Sequence, residues 1–219
     1  YLKNKKLKHP MYKEIIQTYP NEYDQIVKNL TSKIIPNNKK VWYQKHMAHH
    51  LLNFNNIKWI KKMYNCILIR HPKYVINSYI KKNNLDDISE LGYSQQFALF
   101  EYLKNNNNPV IVIDSNSLLK NPEKIISIWC EKLDINFDSY MMKWEEGYHI
   151  NDGIWAKHWY NNVINTTGFQ KLPNKIVKID KKYHANLKSW PFREAEQLLK
   201  RNGGIEDFKI PNKGHILLE

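Results

Sequence analysis

The chain has 219 residues, 42% of them hydrophobic and 13% aromatic, with 34 Lys and Arg against 21 Asp and Glu and a formal charge of +13. That apolar content supports one sizeable core and excludes a disordered or fibrous class, and no run of eighteen apolar residues is present to form a transmembrane segment. The positive charge favours anionic ligands, but the basic residues are spread through a chain rich in Lys, Asn and Ile rather than clustered, so no nucleic-acid partner is expected.

No charged-then-apolar leader is read at the amino terminus. Residue 1 is Tyr, and neither a strand nor a glycine-rich loop precedes the first helical material, so the chain reads as starting inside a longer protein. His9-Pro10 is a local break, residues 14–17 and 21–30 read as helical with Ile26, Val27 and Leu30 on one face, and Pro36-Asn-Asn-Lys-Lys is a turn. Residues 41–45 mix β-formers with polar side chains and are expected to be a strand ending in Lys45. A short helix over 47–54 follows, on which His46, His49 and His50 stand at i, i+3 and i+4 with Met47, Leu51 and Leu52 interleaved. The spacing suits a metal, yet HExxH is absent and no carboxylate or Cys is close by in sequence, so no metal is expected. The plain structural readings are a helix cap for His46 and a packed imidazole for one of the others.

Residues 66–69 form an apolar run too short for a helix, which reads as a buried strand delivering Arg70 to its carboxyl end. Pro72 then opens a helix continued by Tyr74, Val75, Ile76, Ser78 and Tyr79. Strand, tight turn and helix together make an anion site: the helix start offers unpaired N–H groups and a positive dipole end, and Arg70 adds a planar fork that matches phosphate oxygens. Cys66 falls in this strand and Cys130 in a later helix, with no CxxC pair, so both are expected as reduced thiols in a cytoplasmic setting.

Residues 81–90 are polar and carry Asp86 and Asp87, which reads as a surface loop. Residues 93–104 repeat apolar side chains at Phe97, Leu99, Phe100 and Leu103, a helix ended by four consecutive Asn and Pro109. Residues 110–113 are a third buried strand, followed by Asp114, Ser115, Asn116 and Ser117 as cap-type residues, and Pro122 begins a helix through Leu133. Three strands alternating with helices imply an α/β fold, a three-layer parallel sheet with helices on both faces and ligands at the carboxyl ends, where Lys45, Arg70 and Asp114 fall. Residues 138–170 hold Trp144, Tyr148, Trp155, Trp159, Tyr160 and Phe169, either a hydrophobic patch under a loop or rings that stack on a base or wall an acceptor pocket, with Lys157 and His158 supplying charge. Residues 171–219 carry a helix over 192–201 stopped by Asn202-Gly203-Gly204. No repeat or linker divides the chain, so residues 1–219 read as a single domain.

Arg70 with Ser78 eight positions later, preceded by Tyr-Gln-Lys-His-Met-Ala-His-His-Leu-Leu, is followed by Leu-Gly-Tyr, Val-Ile-Asp, Asn-Pro-Glu, Trp-Ala-Lys-His-Trp-Tyr and Thr-Gly-Phe. This order and wording resembles the sulfotransferase-like family of bacterial type. The resemblance implies a fold of the P-loop NTPase-like sulfotransferase architecture and transfer of a sulfuryl group from 3′-phosphoadenosine 5′-phosphosulfate to a hydroxyl or amine of a small molecule, glycan or lipid. It assigns charge stabilisation to Lys45 and proton acceptance to His49 or His50, since the commoner Lys-x-His spacing falls on Met47. Arg70 and Ser78 would hold the 3′-phosphate, and Trp159 and Tyr160 would lie against the donor. The resemblance also puts a first strand and a 5′-phosphosulfate loop ahead of Tyr1; no G-x-x-x-x-G-K-[ST] occurs here, so the chain reads as N-terminally incomplete with the middle of its sheet unpaired. Two alternatives stay open: a non-catalytic or incomplete nucleotide-binding module of the same fold, and a nucleotide kinase or phosphotransferase relative.

Overall fold

The computed structural model describes residues 1–5, 11–32, 35, 39–81, 84–85, 87–150 and 152–171. The expected break at His9-Pro10, the turn at Pro36, Asp86 and the helix over 192–201 lie outside these residues.

Three helices come first: α1 (Leu2–Lys5), α2 (Tyr12–Thr18) and α3 (Tyr23–Ser32). Then follow β1 (Asn65–Ile69), α4 (Pro72–Tyr79), α5 (Tyr93–Asn105), β2 (Val110–Asp114), α6 (Ser115–Lys120), α7 (Pro122–Lys132) and α8 (Ala156–Trp159). The strands β1 and β2 pair in parallel, Ile67 opposite Val112 and Ile69 opposite Asp114. The period of two in a strand then sorts side chains to opposite faces. Ile67, Ile69 and Val112 pack with Ile76 of α4 and with Tyr93 and Phe100 of α5. Ile111 and Ile113, joined by Cys66, pack under Leu118 of α6 and Ile125, Ile128 and Trp129 of α7. A third cluster of Ile57, Ile60 and Leu103 gathers Leu51 and Phe54 against α5, which anchors the segment entering β1.

Local chemistry accounts for the element ends. Pro72 stands at the first position of α4 and Pro122 at that of α7, where the missing N–H costs nothing. The Asp114 carboxylate accepts from the Asn116 and Ser117 backbone N–H groups at 3.2 and 3.0 Å, the cap its position implied. The Asn run closes α5: Asn107 takes the left-handed conformation and Asn108 N–H donates to the Leu103 carbonyl at 2.9 Å.

Two expected elements do not form. Residues 41–45 join no ladder; their side chains find other partners, Gln44 donating to the Leu30 carbonyl at 3.0 Å and Tyr43 meeting the Trp129 ring edge-on at 6.1 Å. Among the described residues the sheet is therefore two-stranded, and the wider parallel sheet read from three strands is not present. Nor is its middle left open, because β1 and β2 hydrogen-bond to each other directly. Residues 47–54 give only a 3₁₀ turn at Ala48–His50, since Met47 and Leu51 are extended on either side and Asn53 turns the chain by accepting from Asn55 N–H at 2.8 Å. The loop at 81–90 likewise contains more order than its polarity suggested, a 3₁₀ turn at Ile88–Leu91 capped by Asp87. No helix among the described residues is long and apolar enough to cross a membrane.

Candidate functional site at the carboxyl end of β1

Arg70 leaves the end of β1 between two buried residues, Ile69 and Pro72, with only His71 intervening before the helix. Its guanidinium carbon sits 5.7 Å from the centre of the Tyr74 ring, which Lys73 Nζ also approaches at 5.0 Å. Among the described residues the buried Arg70 Nε has no hydrogen-bond partner and no carboxylate pairs with this side chain. A buried cationic N–H without an acceptor is unfavourable by about 1–3 kcal/mol or more, so an acceptor placed there would be stabilising.

The helix start contributes less than the sequence suggested. His71 caps α4 itself: its Nδ1 accepts from Lys73 N–H at 3.3 Å, its carbonyl accepts from Tyr74 N–H at 2.9 Å, and Pro72 has no N–H to offer. The first-turn donors are thus taken, and what α4 adds beside the Arg70 side chain is its dipole. His71 as a cap was legible from its place before Pro72, although imidazole is not a usual capping group.

The histidines reach this site through α5. Gly92, immediately before α5, has φ of +76° and lies so close to the 48–50 turn that a Cβ there would stand 3.1 Å from His49 N. The next residue, Tyr93, donates its hydroxyl to the Arg70 carbonyl at 2.6 Å. One Gly-Tyr corner therefore holds the His turn on one side and the end of β1 on the other. His49 is half-buried, and burial pushes its pKa down while the nearby Glu90 charge partly opposes that. His50 is exposed and stacks on the Tyr1 ring at 4.5 Å. His46 stands apart from the turn, bonded to Gln44 Oε1 at 3.1 Å and lying 6.0 Å from the Trp59 ring, so it caps no helix, and the i, i+3, i+4 face imagined for a metal does not exist.

The remaining expected residues are placed as follows. Lys45 is exposed at the end of residues 41–45 and makes no hydrogen bond or ion pair among the described residues. Ser78 is exposed near the carboxyl end of α4, with no side-chain hydrogen bond among the described residues. Trp159 closes α8, 37% exposed, and Tyr160 follows it half-buried, its carbonyl accepting from Val163 and Ile164 N–H at 2.8 and 2.9 Å. No described hydrogen bond or ring contact joins Tyr160 to Arg70 or Ser78. Elsewhere in the aromatic region Trp144 donates to Thr166 Oγ1 at 3.1 Å and meets Phe169 edge-on at 5.7 Å, which is packing. Two residues of the site were missed in the sequence, Glu90 and Gly92. A glycine directly before an amphipathic helix was the available signal for the second; Glu90 had none.

Comparison with known proteins adds an independent line. The chain is 28% identical over 176 residues to Branched-chain-amino-acid aminotransferase-like protein 2 of Arabidopsis thaliana, covering 79% of this chain and 31% of that protein. It is 28% identical over 178 residues to Branched-chain-amino-acid aminotransferase-like protein 1 of the same plant, covering 81% of this chain and 31% of that protein. The chain thus spans about a third of the length of these curated relatives. No solved structure matches it. The sulfotransferase domain family matches residues 1–197, nearly the whole length, and on that match the chain belongs to the sulfotransferase domain family.

Proposed function

We propose that this chain takes part in sulfuryl transfer from 3′-phosphoadenosine 5′-phosphosulfate to a hydroxyl or amine of a small-molecule, glycan or lipid acceptor. The observation that carries the reading is the buried Nε of Arg70 at the carboxyl end of β1, unpartnered among the described residues. It fits one anionic oxygen of the donor's 3′-phosphate, and Ser78 on the following helix is the second contact proposed for that group. When bound, the donor supplies the sulfuryl group and a good leaving group.

Sulfuryl transfer, like phosphoryl transfer through a loose transition state, rests mainly on in-line positioning and charge stabilisation. Lys45, exposed and without a partner among the described residues, is proposed to neutralise charge on the leaving oxygen. His49 is proposed as the base: an imidazole kept neutral by burial accepts the acceptor's proton as the new S–O bond forms, and the old S–O bond breaks with its electron pair leaving on the bisphosphate. His50, exposed and stacked on Tyr1, is the alternative base. Trp159 and Tyr160 are proposed to flank the adenosine.

The test is calorimetric titration of adenosine 3′,5′-bisphosphate into wild-type chain and Arg70→Ala. Breaking a charge-assisted contact of this kind costs about 2–4 kcal/mol, so the variant should bind about 30- to 1000-fold more weakly. Equal dissociation constants in the two proteins refute the assignment. Binding of the bisphosphate without any turnover of the donor points instead to a nucleotide-binding module that transfers nothing, and preference for ATP points to a phosphotransferase.

A further inference from the structure

The 3₁₀ turn at Ile88–Leu91 lies against the 3₁₀ turn at Ala48–His50, and the two are locked by Gly92, whose absent side chain lets His49 N approach. Glu90, on the first of these turns, accepts a hydrogen bond from the Tyr79 hydroxyl at 2.5 Å, so α4 holds its carboxylate in place. Among the described residues His49 meets the Tyr1 ring edge-on at 5.3 Å, His50 edge-on at 4.5 Å and the Gly92 backbone before α5, while Glu90, on the turn packed against the 48–50 turn, forms no ion pair with it and acts through its field. Glu90 is the single anion among them. The same carboxylate, added to burial, keeps the Tyr1 phenol protonated by raising its pKa.

We propose that Glu90 is a positioning residue for the reaction, the fixed anionic partner that stabilises the imidazolium formed when His49 takes the acceptor's proton. The inference rests on the reading of His49 as base. The acceptor O–H proton passes to the His49 ring, the acceptor oxygen bonds to sulfur, and the bridging S–O bond breaks onto the bisphosphate; Glu90 takes no part in the proton transfer. A carboxylate near a histidine base favours the charged form of the ring through its field, without needing to touch it. Tyr79 holds Glu90 in place by fixing one of its oxygens.

The test is a ring-proton NMR titration of His49, assigned with His49→Gln, in the full chain and in Glu90→Gln. Losing the anion should move the His49 titration to lower pH, because only burial then acts on it. In donor turnover, read as bisphosphate release, the acid limb of the pH profile moves the same way and the plateau falls at least about tenfold, while Glu90→Asp restores much of both. Tyr79→Phe keeps the ring and removes the hydroxyl that holds the carboxylate, so it moves the His49 titration in the same direction by less and serves if Glu90→Gln does not fold. A His49 titration unchanged in whichever of these variants folds overturns the pairing and leaves the base assignment standing. Full turnover in His49→Gln overturns the base assignment, and with it the catalytic use of Glu90, whatever the titration shows.

Discussion

The Tyr93 hydroxyl donates to the Arg70 carbonyl at 2.6 Å, tying the amino end of α5 to the last residue before the β1–α4 turn. Tyr93 is buried and Arg70 half-buried, so the contact fixes where Arg70 leaves the sheet, and the residue beside Tyr93 fixes the His turn. Tyr93→Phe should leave the carbonyl unsatisfied and lower stability by about 1–3 kcal/mol, measured by urea unfolding. On the proposed function it should also weaken bisphosphate binding, because the Arg70 backbone is no longer held. Stability equal to wild type would show that water replaces the hydroxyl at no cost.

Gly92 carries two constraints at once, a φ of +76° and a close approach to backbone rather than to a flexible side chain. Gly92→Ala should therefore cost about 1–2 kcal/mol for the left-handed conformation alone, with more from the displaced 48–50 turn. Urea midpoints measure the first. The second is read from the ring signals of His49 and His50, which should shift in the variant; unchanged signals would mean that the turn does not depend on this contact.

Burial pushes the pKa of both His46 and His49 below the ordinary value. In the folded chain they resist protonation at a pH where the unfolded chain already takes up protons, so the unfolded state binds more protons across that window. Their stabilising effect is fully present above about pH 6.5 and is lost as pH falls through the folded-state values. The urea midpoint should drop as pH falls below about 6.5, the ordinary histidine value, and the drop should flatten in His46→Gln/His49→Gln. An equally steep drop in the double variant would place the effect on other groups.

The sequence by itself determined the local grammar. The apolar run at 66–69 could only be satisfied as a short buried strand, Pro72 could only start a helix, and Asp114 ahead of Ser115, Asn116 and Ser117 was a cap by chemistry; each of these expectations concerns neighbours in the chain, and each matches an observed element. The family resemblance too was carried by such short phrases, and the sulfotransferase domain match covers them.

What only the tertiary structure decided was which distant residues meet. Residues 41–45 have the composition of a strand, but a strand exists only where another strand pairs with it, and here the segment spends its side chains on Leu30 and Trp129 instead. Helical spacing grouped His46 with His49 and His50, whereas the chain turns between them and sends His46 to Gln44. Glu90 looked like one more polar loop residue until Tyr79 and the 48–50 turn were seen beside it. Secondary structure follows from caps and periodicity within a few residues, but the surroundings of a charge depend on chain segments tens of residues away, and those come together only when the core around Ile69, Ile76 and Phe100 closes.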